Sequence, residues 1–438
     1  MPLRVPAHGA LPHSRHGMAK RVSGRRWWII GLATIGTVLN YLARSSLSVA
    51  APTLKSVFTM STQQYSWVVA AFQGAYTLMQ PIAGHVLDLL GARLGFALFA
   101  VAWSLANCAH AFATGWPSLA AFRGMLGLAE AAALPGGLKV VSEWFPPKER
   151  TIATGWFNIG SSLGAILAPP LVIFCIFTWG WQSAFVATGG AGMLWAALWY
   201  AGYRPPEEDV RLGAAERAYI LDGRENEKPS AALGWREALA TRDFWSIAIP
   251  RFLAEPAWQT FNFFIPLYLV ETRGLDLKQV AAFAWLPFLA ADFGSLFGGY
   301  LAPWLMRHLK VSLLSSRKIV VTTGVLCMTG PACIGLAGSP GLAIALFCVG
   351  GFAHQMLSGA LITLSADLFD RRLVATATGM AGSAAWIGGL GFSLIVGALA
   401  DTVGYHPLFA SLGLLDFAAA AALWLLLRER TAAPVAAA

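Results

Sequence analysis

Long apolar stretches of this sequence hold three arginines, Arg44, Arg123 and Arg251, and among their carboxylic acids are Glu130, Glu255 and Asp292. If those stretches lie in hydrocarbon, an ionised side chain costs on the order of 2.5–3.5 kcal/mol even on the most lenient scale. Each group then needs a wet cavity, a partner or a ligand. Arg44 closes the run Asn40-Tyr41-Leu42-Ala43-Arg44, and its planar fork suits a carboxylate held by two parallel hydrogen bonds. Arg123 and Glu130 fall two helical turns apart on one face. Burial favours the neutral form of Glu130 and arginine charge the ionised form, so this carboxyl can load and release a proton. Arg251 and Glu255 stand one turn apart between Pro250 and Pro256, each of which removes a backbone donor and strains its helix. The competing readings are structural: Arg44 snorkelling to the outer interface, and permanent Arg123–Glu130 and Arg251–Glu255 ion pairs.

Other side chains suit a polar cavity. Tyr76 and Gln80 belong to the ladder Phe72-x3-Tyr76-x3-Gln80-x3-Gly84-x3-Asp88, whose steps of four keep one drifting helix face. Trp258 and Asn262 follow Glu255 at one-turn spacing. His354, Gln355, Asn158 and Trp386 are further pocket candidates, although a lone intramembrane histidine is more often a packing residue. Asp292 is a second candidate proton carrier, and Glu255 a third. Asp88 and Arg93, at the end of the ladder, suit an acid–base latch that locks one conformation. The five cysteines (Cys108, Cys175, Cys327, Cys333 and Cys348) form no Cys-x-x-Cys pair or Cys/His ligand set and read as packing residues, with no disulfide or metal role.

The elements that must carry these groups follow from composition. The chain has 438 residues, 57% hydrophobic and 12% charged, with a mean hydropathy of +0.59. Soluble domains run at about 25% charged. This composition excludes cytosolic enzymes, nucleic-acid binders and disordered scaffolds, and makes the solvent a bilayer. Apolar runs predict twelve helices, over 28–51, 64–87, 94–113, 118–141, 152–176, 183–203, 244–270, 279–303, 317–337, 341–366, 378–400 and 407–427. The net charge of +9 resides in tails and loops. With the N-terminus inside, the outside loops hold only Lys55, Arg273 and Lys278, so the positive-inside rule puts both termini in the cytoplasm.

The organisation expected is a disordered basic tail over 1–26, a six-helix bundle over 27–203, a cytoplasmic linker over 204–243, a second bundle over 244–428 and a tail over 429–438. Residues 213–227 suit a short surface helix in the linker. No cleavable signal peptide is evident, and Met18 is an alternative start. Residues 143–155 line up with 367–379, both running from an acid and Phe to Ala-Thr-Gly and both joining the fourth span of a half to its fifth. Two related halves imply a site at their interface and rocking between inward and outward openings. No Ser/His/Asp set, metal cluster or phosphate loop is present, which argues against a membrane enzyme.

The stretch Gly84-x3-Asp88-x2-Gly91-x-Arg93 resembles the loop signature of the major facilitator superfamily. Arg44, with Asn40-Tyr41 before it, and Arg123-x6-Glu130 resemble the anion:cation symporter branch, whose members carry Asn-Tyr-x-Asp-Arg in the first span and Arg-x6-Glu in the fourth. Tyr76 matches the tyrosine of that branch's second span. Ala43 stands where the branch has Asp, which puts a second proton carrier in doubt. Ser61-Thr62-Gln63-Gln64-Tyr65-Ser66, Arg251-Phe-Leu-Ala-Glu-Pro-Ala-Trp258 and Gly350-Gly-Phe-Ala-His-Gln355 are similar to the bacterial hexuronate transporters of the branch, which also lack that Asp.

The resemblance implies an all-α polytopic fold of twelve transmembrane helices in two pseudo-symmetric six-helix bundles. It implies proton symport of galacturonate or glucuronate across the bacterial inner membrane, with the proton as coupling ion and no other cofactor. The expected partners are a sugar acid and the lipid bilayer, without nucleic acid, and the protein is expected to work as a monomer. On that footing Trp258 is an apolar platform for the C–H face of a sugar, with Asn262 an amide for its hydroxyls. The small-residue face Gly160-x3-Gly164-x3-Ala168-Pro169-Pro170 lacks the fuller Gly-Pro-Gly-Gly pattern of drug antiporters, which disfavours efflux. The alternatives are another organic anion, such as an aldonate or an aromatic carboxylate, and a transporter-shaped sensor. A sensor would need a cytoplasmic output domain larger than the linker or tails.

Overall fold

A computed structural model describes residues 24–146, 149–221, 235–369 and 374–428. Every regular element among them is helical, with no strand. Hydrocarbon explains this, since a helix satisfies its backbone hydrogen bonds within one segment. The first half holds α1 (Arg25–Phe58), α2 (62–90), α3 (92–109), α4 (Trp116–Trp144), α5 (Arg150–Trp179) and α6 (Trp181–Gly202). The second holds α7 (Arg242–Glu271), α8 (Leu277–Leu309), α9 (Leu313–Leu336), α10 (Pro340–Leu368), α11 (Val374–Val403) and α12 (Tyr405–Leu426). Each of the twelve expected spans falls on one of these helices.

Their ends follow from local chemistry. α1 stops at Thr59, which takes a left-handed conformation with φ 49°. α2 starts on a capping box in which Ser61 Oγ accepts from the Gln64 amide and Gln64 Oε1 from the Ser61 amide, each at 3.1 Å. α2 and α3 are one helical run broken at Gly91, whose φ of 75° only glycine adopts freely. α4, α8 and α9 each break two to four residues before a proline: at Ala131–Ala132 before Pro135, at Ala284–Trp285 before Pro287, and at Met328 before Pro331. A proline ring clashes with the carbonyl four residues back and leaves it unbonded. α7 contains Pro250, Pro256 and Pro266 and still runs unbroken, despite the strain each proline places on a helix.

The halves repeat one another in packing. α1 pairs with α5 and α6 as α7 pairs with α11 and α12; α2 pairs with α4 as α8 with α10; α3 pairs with α6 as α9 with α12. Glycine permits the closest of these approaches. A Cβ at Gly164 would lie 2.5 Å from the Val38 carbonyl oxygen, and one at Gly388 would lie 2.0 Å from that of Phe252. Gly388→Ala should therefore force α11 off α7 and cost about 1–3 kcal/mol. In detergent it should melt several degrees below the parent, whereas Gly391→Ala, with nothing within 4 Å, should melt with it. Equal melting of the two variants would contradict this packing.

Nine helices among the described residues are long and apolar enough to cross a membrane. α1, α2 and α7, which are long but more polar, carry Arg44, Tyr76 with Gln80, and Arg251 with Glu255. The three helices least suited to lipid thus all carry candidate site residues. Large apolar side chains such as Leu78, Phe112, Tyr300 and Leu425 point outward and are more than 70% exposed, as a lipid-facing surface requires.

The linker docks on the start of α1. Its short helix, Ala214–Leu221, buries Glu216, which accepts from Arg26 Nη1 at 3.0 Å and from the amides of Arg25 and Arg26. Residues 222–227 of the expected 213–227 helix lie outside the described residues. Asp209 accepts from Arg25 Nε at 3.0 Å and from the Arg211 amide at 2.9 Å. Burial opposes its ionised form, but these donors prevail and hold its carboxyl below the usual aspartate range. On the opposite face the halves meet. Lys55 of α1 pairs with Glu271 of α7 at 2.7 Å, Tyr65 donates to the Phe263 carbonyl at 2.8 Å, and the Thr62 amide donates to Asp401 of α11 at 3.0 Å.

Candidate functional site

Arg44 lies on α1 where that helix meets α2, α4 and α11. Its Nε donates to Glu130 Oε2 at 2.9 Å, and Arg123 Nη2 donates to the Arg44 carbonyl at 2.7 Å. Arg44 is 8% exposed, and Arg123 and Glu130 are fully buried. Four rings surround the Arg44 guanidinium, with centroids at 4.5 Å for Tyr41, 4.9 Å for Tyr76, 5.4 Å for Phe72 and 5.9 Å for Trp386. Ring faces attract a desolvated cation by about 0.5–2 kcal/mol each. Trp386 belongs to the second half and lies 4.6 Å from the Tyr76 ring, so the cluster spans the interface between halves.

This cluster is not a closed structural ion pair. Glu130 commits only Oε2; its Oε1 is buried without a hydrogen bond, as are Nε and Nη1 of Arg123. Buried polar atoms left unbonded cost about 1–3 kcal/mol each, more when charged. Two guanidiniums against one carboxylate leave one positive charge. That excess suits one monoanion, and the unused donors suit its oxygens.

The break in α4 immediately after Glu130 sets where that carboxyl stands. α4 approaches α2 closely enough that a Cβ at Gly127 would lie 2.5 Å from the Phe72 carbonyl oxygen. Gly127 thus lets α4 bring Glu130 towards the ladder of α2.

A second cluster gathers on α7 and α10. Arg251, Glu255 and His354 line one crevice with Ser358. Glu255 Oε1 accepts from Gln259 Nε2 at 2.9 Å, so its described hydrogen bond goes to Gln259 rather than to Arg251. Trp258 stacks on His354 at 5.5 Å with rings 9° apart. The His354 Nδ1 is buried without a hydrogen bond. α11 touches both clusters: Trp386 faces Arg44, and a Cβ at Gly382, one turn away, would lie 3.8 Å from Arg251 Nη1.

The structure thus gathers Arg44, Tyr41, Tyr76, Arg123, Glu130 and Trp386 into one cluster, and Arg251, Glu255, Trp258 and His354 into another. Gln80 follows Tyr76 on α2, with its Oε1 buried and unbonded. Asn262 donates to the Trp258 carbonyl of its own helix at 2.8 Å. Gln355 is half-buried on α10, and Asn158 is exposed on α5. Asp292 accepts from Ser162 across the α5–α8 seam between halves. The side chain of Asp88 lies outside the described residues. Arg93 donates to the Tyr200 carbonyl at 3.1 Å and stacks on its ring at 4.5 Å, which ties α3 to α6 within the first half.

Sequence reasoning missed Phe72 as a ring on both guanidiniums and Gln259 as the partner of Glu255. It also missed Asn40 and Gln73, whose side-chain amides are fully buried without a hydrogen bond. The signal for Gln259 was its one-turn spacing from Glu255.

The sequence profile of the Major Facilitator Superfamily matches residues 33–316. The hexuronate transporter of Escherichia coli (strain K12) is 50% identical over 420 residues, 95% of this chain and 97% of that protein. The galacturonate transporter of Dickeya chrysanthemi is 50% identical over 331 residues, 74% of this chain and 95% of that protein. A bacterial homologue of the human lysosomal transporter Spinster, solved in an inward-facing and occupied conformation, matches with a TM-score of 0.74 at 18% identity, covering 92% of this chain and 97% of that one. At that identity the likeness is one of fold.

Proposed function

Because the chain belongs to the Major Facilitator Superfamily, a family of membrane transporters, we propose that it imports hexuronates such as galacturonate and glucuronate by proton symport. The observation that carries this reading is the buried Arg44–Glu130–Arg123 cluster at the interface of the halves, with one unbalanced positive charge. A hexuronate is a monoanion at neutral pH, since carboxyl pKa values lie at about 3.3–3.7. Its carboxylate competes with Glu130 for Arg44. A proton arriving on Glu130 releases Arg44 to the substrate, and loss of that proton returns Glu130 to Arg44 and expels the substrate. Binding of proton and of substrate therefore favour one another.

Alternating access supplies direction. The face that carries the linker is the cytoplasmic one, in keeping with the Lys/Arg bias, and both termini lie there. The Lys55–Glu271 and Thr62–Asp401 contacts join the halves at the outer face, which supports reading this conformation as inward-facing, with Glu130 back on Arg44. The second cluster receives the rest of the sugar: Trp258 offers a flat apolar face, and Arg251, Glu255 and His354 offer polar atoms to hydroxyls. The protein works as a monomer in the bacterial inner membrane, with the proton as its one coupling ion and no other cofactor.

The reading is tested by the melting temperature of the purified protein across a panel of acids. Galacturonate or glucuronate at 100 times its dissociation constant adds about 2.7 kcal/mol, a rise of several degrees. Neutral hexoses should give no rise. Stabilisation by aldonates or aromatic carboxylates alone would replace hexuronate with another organic anion, and stabilisation by none would overturn the site.

A further inference from the structure

Arg251 and Glu255 stand one turn apart on α7 and line one crevice, yet they do not close into a pair. Opposite charges four residues apart on a helix pair readily. Here Glu255 Oε1 accepts from Gln259 Nε2 at 2.9 Å, and Arg251 makes no hydrogen bond or ion pair among the described residues. The partner that replaces Arg251 is itself fixed. Gln259 lies one turn beyond Glu255 and is buried. A Cβ at Gly389 of α11 would lie 2.4 Å from Gln259 Cγ and 3.2 Å from its Cβ, so glycine is what lets the Gln259 stem lie there. Gly382, two turns earlier on the same face of α11, lies against the Arg251 guanidinium, its Cβ position 3.8 Å from Nη1. One face of α11 thus seats both Arg251 and Gln259.

The consequence is chemical. A hydrogen bond to an ionised carboxylate is a strong one, but an amide brings no charge to neutralise it. Glu255 therefore keeps Oε2 as a free acceptor, and Arg251 keeps its donors. An acceptor beside a donor matches two neighbouring hydroxyls of a sugar ring, one giving its proton to Glu255 and the other accepting from Arg251. A closed Arg251–Glu255 pair would occupy both. Trp386, one turn beyond Gly382, connects this face of α11 to Arg44.

We propose that Gln259 is a positioning residue for the substrate: it holds Glu255 off Arg251, so that carboxylate and guanidinium stay open to a neighbouring pair of sugar hydroxyls. The proposal rests on the symport reading above and adds to it a residue that acts through Glu255 rather than on the sugar.

The test uses the full chain in proteoliposomes, with labelled galacturonate as probe. Gln259→Met keeps the unbranched stem beside Gly389 and removes the amide donor. It should raise the half-saturating concentration about tenfold and leave the maximal rate within about twofold. In a Glu255→Gln background the same substitution should change that concentration by less than about twofold, because a neutral amide at 255 does not close on Arg251. Gly389→Ala displaces Gln259 without removing a polar group and gives the same reading should the methionine variant fail to fold: a rise in the parent background and none in Glu255→Gln. An unchanged half-saturating concentration in Gln259→Met would overturn the proposal. So would an equal rise in the two backgrounds, which would make Gln259 a direct ligand of the sugar or a packing residue. Absence of galacturonate transport in the parent protein would instead sink the symport reading, and this proposal with it.

Discussion

Arg44→Ala is expected to weaken galacturonate binding by about thirtyfold to several-thousandfold, equivalent to about 2–5 kcal/mol for removing one side of a buried, hydrogen-bonded charge pair. Arg44 is the guanidinium that touches both halves: it binds Glu130 of α4 and lies under Trp386 of α11. Arg123 cannot replace it, because its Nη2 is committed to the Arg44 carbonyl and only Nε and Nη1 remain as supplementary donors. The variant also strands Glu130, and breaking a buried pair costs about 3–5 kcal/mol of stability. Binding must therefore be read by calorimetry on material that still elutes as a folded protein. Arg44→Lys separates charge from geometry. It keeps the cation but loses the fork, and should bind better than alanine and worse than arginine. Parent affinity in Arg44→Ala would move the anion site away from this cluster.

Glu130→Gln should abolish proton-driven accumulation while leaving binding and substrate exchange in place. Glutamine stands permanently for the protonated carboxyl, so Arg44 stays available and the link to protons is cut. The sign of the pH effect follows. In the parent, affinity should fall as pH rises and Glu130 ionises onto Arg44; in the variant that fall should vanish. With Ala43 at the position of a second carboxyl, one proton should accompany one monoanion, so that no net charge moves. A membrane potential, worth about 2.3 kcal/mol per charge per 100 mV, should then contribute nothing to uptake. Concentrative uptake in Glu130→Gln would remove this residue from coupling. Potential-driven uptake in the parent would add a second carrier, with Asp292 or Glu255 the candidates.

The twelve spans and the Arg44, Arg123 and Glu130 candidates were legible because hydrocarbon leaves few options. It forces helices, and it makes any charge within them conspicuous. What escaped was tertiary. Pro135 breaks α4 while three prolines leave α7 continuous, since neighbouring groups decide whether a freed carbonyl is satisfied. The bond of Arg93 to Tyr200 of α6 was not legible, and its expected latch partner Asp88 has its side chain outside the described residues. Arg251 and Glu255, one turn apart, suggested a pair; Gln259 is the group bonded to Glu255. Asn40 stood out only as part of the motif ending at Arg44 and Gln73 not at all, and only the folded chain reveals that their amides are buried and unbonded.

The most direct test is uptake of labelled galacturonate into proteoliposomes under an inward acid gradient, with internal pH recorded at the same time. Accumulation against a concentration gradient, with one proton entering per galacturonate, is the expected result. Accumulation driven by sodium with no proton entry, or equilibration without accumulation, would contradict the exchange of Arg44 between Glu130 and the substrate.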